Sequence, residues 1–283
     1  MNDPSFPLGL IAGLGQLPVH VAAAAKARGQ DVYVIRLKGF VEPALESLPG
    51  EIIGVAEIGK ILKALKTAGC KDVCFCGIVK RPDFSSLKPD LKGISLLPKV
   101  IAAARKGDDA LLRVLVDTFD NEGFRVIGAD QASGNLLGGE GVLAGKMPDE
   151  TQMADLRKAA QIAAEAGRLD IGQGAIVCDG LVLCVEAQEG TDQMLARCAG
   201  LDETVRGSAE SPRGVLVKRP KPMQERRIDL PAIGVKTVEG AAAAGLCGIG
   251  FEAGGALLMD EAQVRIRAEQ LGLFLYGFAK DWA

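Results

Sequence analysis

A chain of 283 residues that is 48% hydrophobic holds enough apolar side chain for one large or two ordinary cores, which excludes a disordered or low-complexity protein. Its 33 basic and 36 acidic residues are mixed along the chain and leave a net charge of −3, so neither nucleic acid nor a polybasic membrane anchor is indicated. The seven cysteines contain no C-x-x-C pair, are odd in number and fall partly inside apolar runs, and they read as reduced core residues of a cytoplasmic protein.

From the start, Leu8–Ala12 reads as a strand, Gly13-Leu14-Gly15 as a turn, Pro18–Gly29 as an alanine-rich helix and Val32–Ile35 as a second buried strand. Helical stretches at Ile58–Ala68, Leu97–Arg105 and Asp108–Glu122 then alternate with strand-like Val73–Val79 and Arg125–Gly128. This alternation predicts an α/β protein whose first domain, residues 1–130, is a doubly wound Rossmann-like sheet. The glycine-rich stretch 131–150 lacks periodicity and reads as a linker. Residues 151–283 read as a mixed α/β domain: a helix over Met153–Ala166, a hairpin of two apolar runs around Asp179-Gly180, a helix over Val235–Gly245, an amphipathic helix at Glu261–Leu271 and a last strand at Leu273–Phe278. No secretory signal is expected. Gly240–Met259 is nearly all apolar, but six glycines and Glu252 favour helix-turn-strand over a membrane span.

The richest loop runs from Lys221 to Gly234, with five ionisable side chains in its first nine residues, between a strand-like run and a helix. Cations suited to phosphate (Lys221, Arg226, Arg227) alternate there with carboxylates suited to a metal (Glu225, Asp229). Elsewhere the residues leave two readings open. Gly13 and Gly15 invite a dinucleotide loop, but Pro18 replaces the third glycine, which weakens an NAD-binding reading and leaves a phosphate or sugar loop open. Asp108 and Asp109 suit a helix start; Gln173 lies in a turn; Gln188, Glu189 and Thr191 stand between a helix cap and a site. The lone His20 excludes histidine-rich metal centres and a Ser-His-Asp triad, so any metal must take oxygen ligands, which favours magnesium over zinc.

Taken together, Gly9-Leu10-Ile11-Ala12-Gly13 with Gly15 and Leu17-Pro18, Arg81-Pro82-Asp83-Phe84, Lys106–Arg113, Asp170–Gln173, Val185–Asp192 and Lys221–Gly234 resemble the LpxI-type UDP-2,3-diacylglucosamine pyrophosphatases of lipid A biosynthesis in Gram-negative bacteria. The resemblance covers nearly the whole chain, with Leu14 a departure where many relatives have glycine. It implies a two-domain, cytoplasmic, magnesium-dependent enzyme, manganese substituting, that splits the UDP-sugar lipid into lipid X (2,3-diacylglucosamine 1-phosphate) and UMP. Asp229 falls at the position of the essential aspartate. On this reading Asp229 and Glu225 hold the metal, and Lys221 and Arg227 hold the leaving phosphate. Asp108, Asp109, Glu186 or Glu189 would complete the metal shell. The expected substrate contacts are Gly13, Gly15, Arg81, Asp108, Asp109, Gln173, Gln188, Glu189, Thr191 and Gln224.

Two acyl chains must also leave water, so an apolar groove between the domains, reached from Asp130–Asp149, is expected. Peripheral contact with the inner membrane and a homodimer are left open. The alternative is a non-catalytic nucleotide-sugar or acyl-ligand binding protein, which needs no divalent ion.

Overall fold

The computed structural model describes residues 5–80, 86–134 and 136–282. Two compact units form: Met1–Asn135 with Glu225–Asp229, and Leu136–Gln224 with Leu230–Ala283.

In the first unit β1 (Leu8–Ala12), α1 (Gln16–Ala27), β2 (Val32–Leu37), β3 (Gly50–Ile53), α2 (Ile58–Thr67), β4 (Asp72–Cys76), α3 (Leu91–Ala104), α4 (Asp108–Asn121), β5 (Arg125–Val126) and α5 (Ala129–Ser133) follow one another. Its strands are parallel in the order β3-β2-β1-β4-β5, as expected for a doubly wound sheet. The apolar runs of β1, β2 and β4 are buried on both faces, which is why they read as continuous rather than alternating. Ile11, Ile35, Leu65, Val73 and Phe119 centre the core, with Phe75 edge-on to Phe119 at 4.9 Å. Ile228 packs against this cluster and ties the inserted segment to it. Helix α3 begins six residues earlier than the sequence predicts, because Asp90 caps it by accepting from the Gly93 N–H at 2.8 Å, and it runs through Pro98. Edge strand β3 was not foreseen, as its four residues are half polar and exposed.

The second unit contains β6 (Gly141–Ala144), α6 (Glu150–Arg168), β7 (Gly174–Cys178), β8 (Leu181–Val185), α7 (Gly190–Ala199), β9 (Val215–Lys218), β10 (Ala232–Ile233), α8 (Val235–Ala243), β11 (Gly248–Glu252), β12 (Leu257–Leu258), α9 (Glu261–Gln270) and β13 (Phe274–Phe278). Six strands lie in the order β6-β13-β11-β9-β7-β8; β9, β11 and β13 are parallel, and β6, β7 and β8 each run antiparallel to a neighbour. The stretch 131–150, expected as a linker, instead contains the end of α5 and the strand β6, which pairs with β13. Its glycines had masked a short edge strand. One face of the sheet takes the alanine stripe of α6, with Leu156, Ala160 and Ala163 against Val177, Val215 and Val217. The other face offers Ile176, Leu216 and Ile249 to Met194, Val238 and Val264. The Asp179-Gly180 hairpin forms as predicted, both residues at positive φ (49° and 77°). Buried Asp155 accepts both turn N–H groups, at 2.8 and 2.7 Å. All seven cysteines are free and buried. Among the described residues no helix is long and apolar enough to cross a membrane.

Candidate active site

In the first unit the strand order reverses between β1 and β4, the place where doubly wound sheets bind ligands. The two exits cross closely, joined by an antiparallel bridge between Leu14 and Ile78. A Cβ on Gly13 would lie 2.6 Å from the Ile78 carbonyl oxygen, and one on Gly77 (φ 95°) 2.8 Å from the Gly13 carbonyl carbon, so both glycines are demanded by packing. Gly15 precedes α1 at φ 100°, and its N–H donates to Glu42 Oε2 at 2.8 Å. A carboxylate thus occupies the anion position at this helix start.

Beneath this edge lies a cavity of about 430 Å³, within the size range of small-molecule sites. Its walls are apolar: Ile11 and Phe75 from the sheet, Ile58 from α2, Leu97 and Val100 from α3, Leu111 and Leu115 from α4, and Ile228. Two carboxylate residues line it, Asp108 on the first turn of α4 and Asp229. The sequence led to an apolar groove between domains; this apolar volume belongs to the first unit alone.

The loop carrying Asp229 is held by ion pairs inside the same unit. Glu225 receives Arg227 in a fork, Nε to Oε1 at 2.9 Å and Nη2 to Oε2 at 3.0 Å, while Arg227 Nη1 reaches Asp120 at 2.9 Å. The Arg227 hydrogen bonds hold the Glu225 carboxyl below the usual carboxylate range, and Glu225 in turn raises Arg227. Asp109 accepts from the Glu225 N–H at 2.7 Å and from Arg113 Nε at 2.9 Å, fastening the loop to α4. Glu225 and Asp109, expected as metal ligand and substrate contact, therefore spend these oxygens on shaping the loop.

The first half of the loop belongs to the second unit. Lys221 Nζ pairs with Asp170 at 2.6 Å. Buried Gln224 accepts from the Lys221 N–H at 2.8 Å and donates to Gln173 Oε1 at 3.1 Å. Thr191 is not a helix cap: its hydroxyl donates to Glu186 Oε1 at 2.7 Å and accepts from Lys218 Nζ at 2.7 Å, and Lys218 also donates to the Ala232 carbonyl at 3.1 Å. Glu186 and Lys218 are both buried, and Glu186 Oε2 has no hydrogen-bond partner among the described residues. Lys218 was missed because it closes an apolar strand, where a lysine reads as the strand's end. Glu189 pairs with Arg197 at 2.7 Å, and Gln188 is exposed. Arg81 lies outside the described residues.

Fold and site together define a two-unit α/β protein with an apolar cavity and adjoining carboxylates at the switch point of a Rossmann-like sheet. The family model for the LpxI N-terminal domain matches residues 7–136, and that for the LpxI C-terminal domain matches residues 139–276. A curated relative, the UDP-2,3-diacylglucosamine pyrophosphatase LpxI of Caulobacter vibrioides (strain ATCC 19089 / CIP 103742 / CB 15), is 54% identical over 270 residues, covering 95% of this chain and 96% of that protein. The chain belongs to the LpxI family. Among solved structures, the ADP complex of N5-carboxyaminoimidazole ribonucleotide synthetase is 14% identical, covering 68% of this chain and 44% of that one, with a TM-score of 0.25, too low to carry an argument.

Proposed function

We propose that the chain is a hydrolase of lipid A biosynthesis that splits the pyrophosphate of UDP-2,3-diacylglucosamine into 2,3-diacylglucosamine 1-phosphate and UMP, at a site open to the cytoplasm. The observation that carries this reading is the pairing of an apolar cavity with Asp229 and Asp108 in its lining, since such a substrate joins acyl chains to a charged scissile bond. The Caulobacter relative, named for this activity, supports it.

Among the described residues no three His, Cys, Asp or Glu side chains gather as a ready-made metal cage. That donor set still fits magnesium, which commonly takes one or two carboxylates and completes its shell with water and substrate phosphates. Asp229 and Asp108 would hold it. Glu225 fits less well, because both its oxygens are engaged by Arg227. When bound, the ion supplies positive charge to the pyrophosphate oxygens. Asp229 orients the attacking water by accepting a hydrogen bond from it. Arg227, aimed by Glu225 and Asp120, carries the charge that grows on the departing phosphate. In the second unit Lys221, held by Asp170, is a further cation suited to phosphate. Gln173, Gln224 and Thr191 serve the nucleotide and sugar.

Incubation with UDP-2,3-diacylglucosamine and product analysis by mass spectrometry tests this. Equal amounts of lipid X and UMP, formed with magnesium or manganese and lost in EDTA, are expected. Substrate bound but recovered intact would favour the non-catalytic binding protein. Hydrolysis undiminished in EDTA would remove the metal from the reaction and leave the hydrolase.

A further inference from the structure

Helix α3 is apolar on both sides, a pattern that suits a buried helix, yet half of it faces solvent. Its inward arc, Leu96, Leu97 and Val100, lines the cavity. At about 100° per residue, Ile94, Pro98, Leu91 and Ala102 share the opposite arc, and all four are exposed, Leu91 at 87% and Ile94 at 55%. Ile78 and Val79, at the exit of β4, add two more exposed apolar side chains (65% and 40%), and Val79 also lines the cavity. Large exposed apolar side chains aligned on one helix face mark an interaction surface.

The charges around it choose the partner. Between Ile78 and Gly107, Lys80, Lys88, Lys99, Arg105 and Lys106 are all exposed, whereas the one described carboxylate, Asp90, is occupied in capping α3. This basic run stands in a chain whose net charge is −3. Exposed apolar side chains on a helix, with Lys99 on it and exposed cations before and after it in the chain, match the interface of an anionic bilayer, where the apolar arc enters the acyl region and the cations meet lipid phosphates.

We infer that the outer face of α3, with Ile78 and Val79, docks on an anionic phospholipid bilayer and brings the mouth of the cavity to the membrane, so that a diacylated ligand moves between bilayer and protein without crossing water. This placement rests on the reading of the cavity as the acyl site. The docking itself is measured without substrate, so its failure is separable from failure of the hydrolase reading.

The test is co-sedimentation of the full chain with vesicles of phosphatidylcholine, alone or mixed with phosphatidylglycerol. Binding is expected only to the anionic vesicles and should fall steeply with salt. L91Q/I94Q should weaken it by about tenfold or more through lost insertion, and K88E/K99E should remove the preference for anionic lipid. None of these four side chains lines the cavity, so both variants should keep wild-type turnover of detergent-dispersed substrate. A wild-type chain left in the supernatant, or variants that sediment like wild type, would overturn the inference. So would L91Q/I94Q splitting a dimer with vesicle binding unchanged, which would give the face to a second copy of the chain.

Discussion

The two units treat their interiors in opposite ways. The second fills both faces of its sheet and buries ionised groups in tight pairs, such as Arg219 with Glu252 at 3.0 Å. The first leaves a cavity of about 430 Å³ beside its sheet, walls it with apolar side chains, and pairs charge at the inserted loop and at the sheet edge, where buried Asp72 holds the half-exposed Arg125. A filled core stabilises; an unfilled apolar space forgoes dispersion and is retained for an occupant. Substitutions at the cavity of the first unit should therefore act mainly on ligand binding and turnover, and those in the packed core of the second mainly on stability, a division of roles between the units.

The largest effect should come from Asp229→Asn. Removing the carboxylate charge should lower kcat by at least about a thousandfold, or about 4 kcal/mol, while circular dichroism and thermal unfolding stay near wild type. A variant within tenfold of wild type would move the chemistry elsewhere. In the second unit, Arg219→Ala should reverse the pattern, costing about 3–5 kcal/mol in denaturant unfolding because it strands the buried Glu252 carboxylate. A loss under about 1 kcal/mol would show that this pair is dispensable. Val100→Trp, pushing a ring into the cavity, should raise KM about tenfold or more with kcat little changed. An unchanged KM would empty the cavity of its role.

The smallest effect is on acid stability. Lys66 and Lys92 hold the Glu122 carboxyl down at about 2 from an ordinary 4.5, and Arg227 depresses Glu225. A carboxylate depressed on folding contributes stability that is present above its unfolded value and lost as pH falls through its folded one. Unfolding temperature should therefore drop between about pH 4.5 and 2, and Glu122→Gln should flatten that slope. An identical slope in the variant would locate the acid sensitivity in other groups.

Much of this was legible from residues alone. Buried strands β1, β2 and β4 announced themselves as apolar runs, the Asp179-Gly180 turn fixed a hairpin, and the six quoted segments together pointed to the family. What stayed hidden depended on residues distant in sequence. Gly13 looked like a phosphate loop, but its constraint comes from Ile78, on the neighbouring strand exit. Glu225 looked like a metal ligand because nothing local shows that Arg227 turns back onto it, and Asp120, 107 residues from Arg227, carries no local signal at all. The cavity of the first unit stayed hidden because its walls come from α2, α3, α4 and the inserted Ile228, elements that only the doubly wound topology assembles.

The most direct test of the division between the units is photocrosslinking with a UDP-2,3-diacylglucosamine analogue bearing a diazirine at the end of one acyl chain, followed by digestion and mass spectrometry. The account predicts label on cavity residues of the first unit, within Leu87–Val100 and Leu111–Phe119, and its loss in Val100→Trp. Label concentrated on residues 136–224 or 230–282 would contradict it, placing the acyl chains with the second unit and leaving the cavity without its occupant.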